Sequence, residues 1–428
     1  DVFGFVQLDG SMAFKKATDS FVLTDADTGG STVLANVSYM EVGGHVENAF
    51  AGVGTIGFEL TGVDFALVMV ADDKGTPADT ADDVNYMALR ADVASAGLVG
   101  IDGLTATVTS LSVQVNKTSD AVNTSTVLDF ANTPANANDD EASGREIATG
   151  FSTDPVTLDI DGDEGVLLAV MTDIQLDVFG FVQLDGSMAF KKATDSFVLT
   201  DADTGGSTVL SNVSYMEVGG HVDNAFAGVG SIGFELTGVD FALVMVADDK
   251  GTPADTADDV NYMALKADVA SAGLVGIDGL TATVTSLSVQ VNKTSDAVNT
   301  STVLDFVNTP GNANDDEAAG REIATGPTSD PVIIDIDGDE GVLLAVMTDI
   351  QLDVFGFVQL DGSMAFKKAT DSFVLTDADT GGSTVLANVS YMEVGGHVEN
   401  AFAGVGTIGF ELTGVDFALV MVADDKGT

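Results

Sequence analysis

"DVFGFVQLDGSMAFKK" occupies residues 1–16, and the same sixteen residues recur at 177–192 and 353–368. Recurrence is read before local structure, because a missed repeat mis-assigns the whole fold. The period is 176 residues. Residues 1–176 and 177–352 differ at twelve positions, about 93% identity, and residues 353–428 match 1–76 without a difference. Eight of the twelve changes fall between Ala131 and Leu158. The chain divides into repeat 1 (1–176), repeat 2 (177–352) and the start of repeat 3 (353–428). An enzyme with one active site gains little from near-identical serial copies, whereas a fibre, stalk or adhesin gains length. The partial third copy is expected of a window on a longer array.

Within the period, strand and turn residues dominate: 48 glycines, with Val, Thr and Phe crowding the apolar runs. "LTATVTSLSVQV" (104–115) alternates, with Leu104, Ala106 and Val108 on one face and Thr105, Thr107 and Thr109 on the other. After Ser110 the apolar residues change parity to Leu111, Val113 and Val115, which predicts a bulge or bend. "DFALVMVADD" (64–73) and "DVFGFVQL" are apolar on both faces, as in strands covered twice. "LDGS" from Leu8, "DTGG" from Asp27 and "DDKGTP" from Asp72 supply turns. A short helix is expected over 82–92. "YMEVGGHV" (39–46), "YMALRADV" (86–93) and "LLAVMTDI" (167–174) share one template, so three related β units per period are expected.

The apolar run 165–182 crosses the repeat boundary, so no linker lies there. The candidate seam is instead the polar stretch 131–155, with its copy at 307–331, which holds most of the variation. A loop of this length inside a domain is unusual. As a linker it would join sandwich-like beads; as a surface loop it would project from an unbroken β stack. The fused apolar run favours continuity. The expected fold is all-β, with tandem repeats forming an elongated, solenoid-like β stack or a β-sandwich rod.

Composition narrows the function. The chain is 45% hydrophobic yet carries a net charge of −52, so carboxylates must cluster in loops between apolar runs. Disorder goes with low hydrophobicity and is not expected. The charge opposes nucleic-acid binding and anionic membrane surfaces, and favours bound cations or a salty medium. Without cysteine there is no disulfide, thiolate zinc site, iron–sulfur cluster or covalent haem, and no nucleotide cofactor is expected. No signal peptide is visible. The longest apolar run carries Asp173 and Asp177, whose charges oppose a transmembrane segment.

Three carboxylate clusters are the candidate metal sites. In "LDIDGDEG" (158–165), Asp159, Asp161, Asp163 and Glu164 stand close together, with Asp335, Asp337, Asp339 and Glu340 in the second copy. Alternate acids suit the oxygen coordination of calcium. This is not an EF-hand, since Glu164 replaces the glycine of position six and Val170 cannot ligate at position twelve. The competing reading is a strand with an acidic outer face ending in an Asp-Gly turn. The second cluster holds Asp72, Asp73, Asp79, Asp82 and Asp83, repeated as Asp248, Asp249, Asp255, Asp258 and Asp259. The third holds Asp25 and Asp27, repeated as Asp201 and Asp203. Solvated acidic loops are the plainer explanation of both; calcium would relieve their self-repulsion.

Other constellations are thin. His45, His221 and His397 are the only histidines, one per copy, so no copy can build a His-based triad. Lys15 and Lys16 are expected to pair with loop aspartates. There is no Trp to make a sugar platform, and nothing beyond carboxylate abundance points to glycoside hydrolysis. Asn36, Asn116 and Asn123 open glycosylation sequons.

"VFGFVQLDGSMAFKK" and "ALRADVASAGLVGIDGLTATVTSLSVQV" resemble the repeats of giant tandem-repeat secreted surface and adhesin-type proteins of Gram-negative bacteria. The resemblance covers the whole chain. It implies export to the cell surface or beyond, calcium dependence and a structural role; the glycine-rich nonapeptide of toxin-type repeats is missing. The expectation is a non-enzymatic extracellular fibre or adhesin shaft that self-associates through neighbouring repeats or chains. The alternative is a repeated module that binds a glycan or cell-surface ligand by avidity, with 131–158 as its contact region.

Overall fold

The computed structural model describes residues 5–134, 143–151, 153–252, 255–309 and 319–423. Repeat 1 forms β1 (Val6–Asp25), β2 (Gly30–Val53), β3 (Ile56–Asp72), β4 (Val84–Val99), β5 (Leu104–Thr118), β6 (Thr126–Asp129), β7 (Arg145–Ile147), β8 (Val156–Leu158) and β9 (Leu167–Val178). Repeat 2 follows the same order: β10 (Val182–Asp201), β11 (Gly206–Val229), β12 (Ile232–Asp248), β13 (Val260–Val275), β14 (Leu280–Thr294), β15 (Thr302–Asp305), β16 (Arg321–Ile323), β17 (Val332–Ile334) and β18 (Leu343–Val354). Repeat 3 contributes β19 (Val358–Thr376), β20 (Ser383–Val405) and β21 (Ile408–Ala423). The fold is all-β, and 17 of these strands join one antiparallel sheet that does not close into a barrel. No helix among the described residues is long and apolar enough to cross a membrane.

The sheet is a meander. β1 to β5 pair in sequence, β9 follows β5, and β10 follows β9 without a break. The apolar run 165–182 is therefore a hairpin. Its turn residues Phe179 and Gly180 have φ of 54° and 70°, and the Phe181 N–H donates to Val178 O at 2.9 Å. Two left-handed residues match the twist of antiparallel strands. The three template stretches fall on β2, β4 and β9, which are alternate strands of the meander, and Tyr39, Tyr86 and Leu167 are all buried.

The core lies at one end of these strands. β6 turns back to pair with the last residues of β1, from Val22↔Asp129 to Asp25↔Thr126. It places Leu128 over Phe21, Leu23, Tyr39, Val68, Val70 and Tyr86, and the small β7–β8 hairpin adds Ile147 and Leu158. Each such side chain contributes about 1.5–3 kcal/mol on full burial. Phe21 meets Tyr39 edge to face, with centroids 5.2 Å apart.

The helix expected over 82–92 is absent; these residues lead into β4 and make its first half. Val84, Tyr86 and Ala88 point inward at a period of two, and the exposed edge of β3 offers a ladder through Val70↔Tyr86. Alternation together with a waiting edge outweighs helix propensity. Of the candidate seams, residues 135–142, 152 and 310–318 lie outside the described residues.

The parity change in 104–115 has its physical cause at Ser110, whose φ is 53°, and the β5–β9 register shifts between Thr109 and Ser112. A left-handed serine is strained where glycine is not. Ser110 is exposed, so Ser110→Gly should raise stability by up to about 1 kcal/mol and Ser110→Val should lower it. Urea unfolding of the two variants tests the pair; equal midpoints would refute the strain.

Candidate functional site

The acidic motif 158–165 is built by alternation. Leu158 and Ile160 are buried, while Asp159 faces out and accepts from Arg90 Nη1 at 2.7 Å. Asp161 then caps a 3-10 turn, Gly162–Glu164, by accepting the Asp163 N–H at 2.9 Å. Gly162 sits so close to Thr24 that a Cβ there would stand 2.7 Å from the threonine Cβ. Glu164 accepts from Lys191 Nζ at 2.6 Å, which ties repeat 1 to the first strand of repeat 2. The second copy repeats the plan: Lys266 pairs with Asp335 at 2.9 Å, Asp337 caps through the Asp339 N–H, and Lys367 pairs with Glu340 at 2.9 Å. Arg90 and Lys266 differ between the copies, yet both keep the ion pair.

The other two clusters are organised as turns. Asp72 accepts the Lys74 N–H at 3.0 Å and its Nζ at 2.9 Å, Asp73 accepts the Gly75 N–H at 3.0 Å, and Asp79 accepts the Ala81 N–H at 3.1 Å. Asp82 accepts from Thr76 Oγ1 at 2.8 Å, and Asp83 is exposed. Asp248, Asp249, Asp255 and Asp258 repeat these contacts, whereas Asp259 keeps one buried carboxylate oxygen with no partner among the described residues. Asp25 accepts from Ser125 Oγ at 2.7 Å and from the Asp27 N–H at 3.1 Å. Asp201 does the same with Ser301 and Asp203; the Ser301 hydroxyl chiefly, then Thr204 and the Asp203 N–H, hold its carboxyl below the ordinary range against the opposing effect of burial. Asp27 and Asp203 themselves are exposed. Among the described residues no three Asp, Glu or His side chains converge in a geometry suited to a metal.

Sequence reasoning missed the polar groups that organise the core. Arg145 Nε donates to Glu41 at 2.6 Å and its Nη1 to Asp19 at 3.2 Å, while the guanidinium lies 4.9 Å from the Phe21 ring and 4.8 Å from the Tyr39 ring. Arg321 repeats this with Glu217, Asp195, Phe197 and Tyr215. Lys15 pairs with the same Glu41 at 3.3 Å, across the β1–β2 ladder, in place of a loop aspartate. Thr24 donates to the buried Asp129, which also accepts from Asn132 Nδ2 at 2.8 Å. Asn116, one of the sequon residues, is buried and donates to Leu128 O at 2.7 Å.

A row of polar residues also crosses the sheet at right angles to the strands. Ser11 faces His45, His45 faces Asp64, Asp64 faces Asp92 and Asp92 faces Ser112. The row resumes through Asp173, Ser187, His221, Asp240 and Asp268. Like charges directly opposed across a ladder repel. Here His45 Nδ1 lies 2.7 Å from Asp64, while Arg90 Nε at 2.9 Å and Ser112 Oγ at 2.7 Å serve Asp92. In repeat 2 the histidine bridges two carboxylates, Asp240 at 2.6 Å and Asp223 at 3.1 Å. His45, Asp64, Arg90 and Asp92 line a polar cleft of about 570 Å³ in repeat 1, and Asp173, Ser187, His221, Asp240 and Asp268 line one of about 790 Å³ in repeat 2.

No family model matches the chain, and no curated protein does. Among solved structures it is similar to the siderophore receptor PirA from Acinetobacter baumannii, at 10% identity and a TM-score of 0.23. The match covers 99% of this chain and 64% of the receptor chain. At that TM-score the likeness carries no argument about fold or activity.

Two expectations follow from the polar groups. Arg145→Ala leaves the Glu41 carboxylate, whose side chain is only 8% exposed, with the exposed Lys15 as its remaining cation, so the repeat should lose about 1–3 kcal/mol. Adding Glu41→Gln should recover part of that loss in urea unfolding; no recovery would place the effect elsewhere. For His221, the hydrogen bond to Asp240 chiefly, then Asp223, raises its pKa against desolvation. Its contribution is therefore full below about pH 6.5 and is lost as pH climbs through the raised value. The stability gap between the wild-type chain and His221→Gln should be larger at pH 5.5 than at pH 9; an equal gap would refute the linkage.

Proposed function

We propose that the chain is a length of secreted structural shaft, an extracellular fibre or adhesin stalk at a bacterial surface, in which tandem repeats stack into a continuous β rod and acidic loops hold calcium. The observation that carries this reading is the joint between repeats. β9 and β10 share an unbroken ladder from Val182↔Val178 to Lys192↔Leu168, and β18 and β19 share the equivalent one. The 3-10 turn before each joint reaches into the next repeat through Glu164–Lys191 and Glu340–Lys367. A head-to-tail contact that does not close on itself generates filaments. The role is mechanical and involves no catalytic step.

Calcium enters on charge. Each full repeat carries about −22, and cations in the loops around Asp161, Asp79 and Asp25 would offset that self-repulsion. Extracellular modules of this kind bind calcium weakly, with Kd on the order of 10⁻⁴–10⁻³ M. Six meander strands per repeat, about 4.8 Å apart, set an axial advance of at most about 29 Å. Electron microscopy with calcium and with chelator tests both parts. Uniform filaments whose axial repeat is at or below that length support the rod, and their loss on chelation supports structural calcium. Separate beads on a thread would overturn the rod; filaments indifferent to chelator would overturn the calcium.

A further inference from the structure

Strands β11 to β14 each pair with a neighbour on both sides, so what they leave open is a face. One face is covered: Tyr215, Glu217, Val244, Val246 and Ala264 are buried there. The residues between them point the other way. Of these, Met216, Val218, Leu243, Met245, Met263 and Leu265 are all only partly buried, so this second face has no cover among the described residues. Strands apolar on both faces are ordinarily covered on both.

Ladder pairing sets the second face in rows. Phe190, Val218, Leu243, Leu265, Val291 and Leu344 stand opposite one another in turn across six strands. Beside them runs Lys192, Met216, Met245, Met263 and Lys293. Repeat 1 has the same rows, and Val113, Val170 and Phe190 carry them over the joint. Four such rows on four strands give sixteen residues in each of the two complete repeats, and none is a carboxylate. A stable interface takes about 20–30 residues a side. The margin is cationic. Lys191 holds Glu164 on the covered face, whereas Lys117, Lys192 and Lys293 on the open face make no ion pair among the described residues.

We propose that a second copy of this chain covers this face, sheet on sheet, so that the molecule is a pair of meanders with an apolar layer between them. Sheets stack in this way about 10 Å apart, with their inner side chains interdigitated. Area and charge both point to a second copy. Two repeats supply more apolar residues than a standard interface needs. The free lysines call for carboxylates, which a chain of net charge −52 brings in excess. An anionic lipid surface would instead meet the acidic turn 72–83, which joins β3 to β4 at the lysine end of the face. The pairing is lateral and holds whether or not the repeats form a shaft.

Sedimentation equilibrium of the full 428-residue chain tests this. Twice the monomer mass is expected. Leu67→Glu with Leu243→Glu should return the monomer with an unchanged circular dichroism spectrum, since both side chains are partly open to solvent in one chain. End-to-end association uses the outer edges of β1 and β21 and would survive that change. Lys192→Glu with Lys293→Glu should weaken the pair about tenfold. The chain has no cysteine, so single cysteines report the face directly. Leu243→Cys should react with a maleimide more slowly as protein concentration rises, while Val298→Cys, at a side chain 87% exposed, should not change. A wild-type monomer, association that survives the double glutamate variant, or concentration-independent labelling of Leu243→Cys would each overturn the proposal. A monomer that floats with phosphatidylcholine vesicles would overturn it in favour of lipid.

Discussion

A β-strand has two hydrogen-bonding edges, and burying or exposing an unpaired one is costly or hazardous. Here that constraint is met across the boundaries of the repeat. β9 bonds to β5 of its own repeat on one side and to β10 of the next on the other. β10 in turn is shared: β9 covers its first half, and β15 returns to cover its end. A single repeat therefore leaves strand edges that only its neighbours satisfy. Both joints present the same register, Val182 against Val178 and Val358 against Val354.

The acidic residues answer a second requirement, that of turning the chain between long strands. Asp25, Asp72, Asp73, Asp79, Asp120 and Asp161 each accept a backbone N–H from two residues further on. Such side-chain turns satisfy donors that no strand can reach. Basic residues are few, and many are placed where a carboxylate is held by structure: Arg145 at Glu41, Lys191 at Glu164, Arg90 between Asp92 and Asp159. Most of the negative charge is left to solvent, while the cations bind elements together.

How much of this was legible in the sequence depended on the range of the interaction. Strands, turns and the Ser110 bulge are local, and residue parity disclosed them. The strand at 84–99 misled because its polar approach, Asp82 and Asp83, resembles a helix start, while the deciding partner Val70 lies across a loop. The Arg145 anchor joins residues 104 and 126 positions apart, and Thr24 reaches Asp129 over 105, so no spacing rule exposes them. The polar row stood nearer to hand. Once the β2–β3 turn is placed at Gly54 and Thr55, reflection about it sets His45 against Asp64. The carboxylate clusters were visible as clusters, but their turn chemistry needed backbone geometry.

The meander also fixes how the chain responds to force. Successive strands lie side by side, so tension between the two ends of the chain runs across the ladders and loads their hydrogen bonds one pair at a time, as a zipper is opened. Yielding is then sequential and gentle, strand after strand. The short β6 return and the Arg145 anchor resist differently, since each joins distant parts of one repeat and must break before the strands it spans can peel. A fully drawn repeat of 176 residues measures about 600 Å, some twenty times its folded advance. The molecule thus stores a large reserve of length behind a small number of latches.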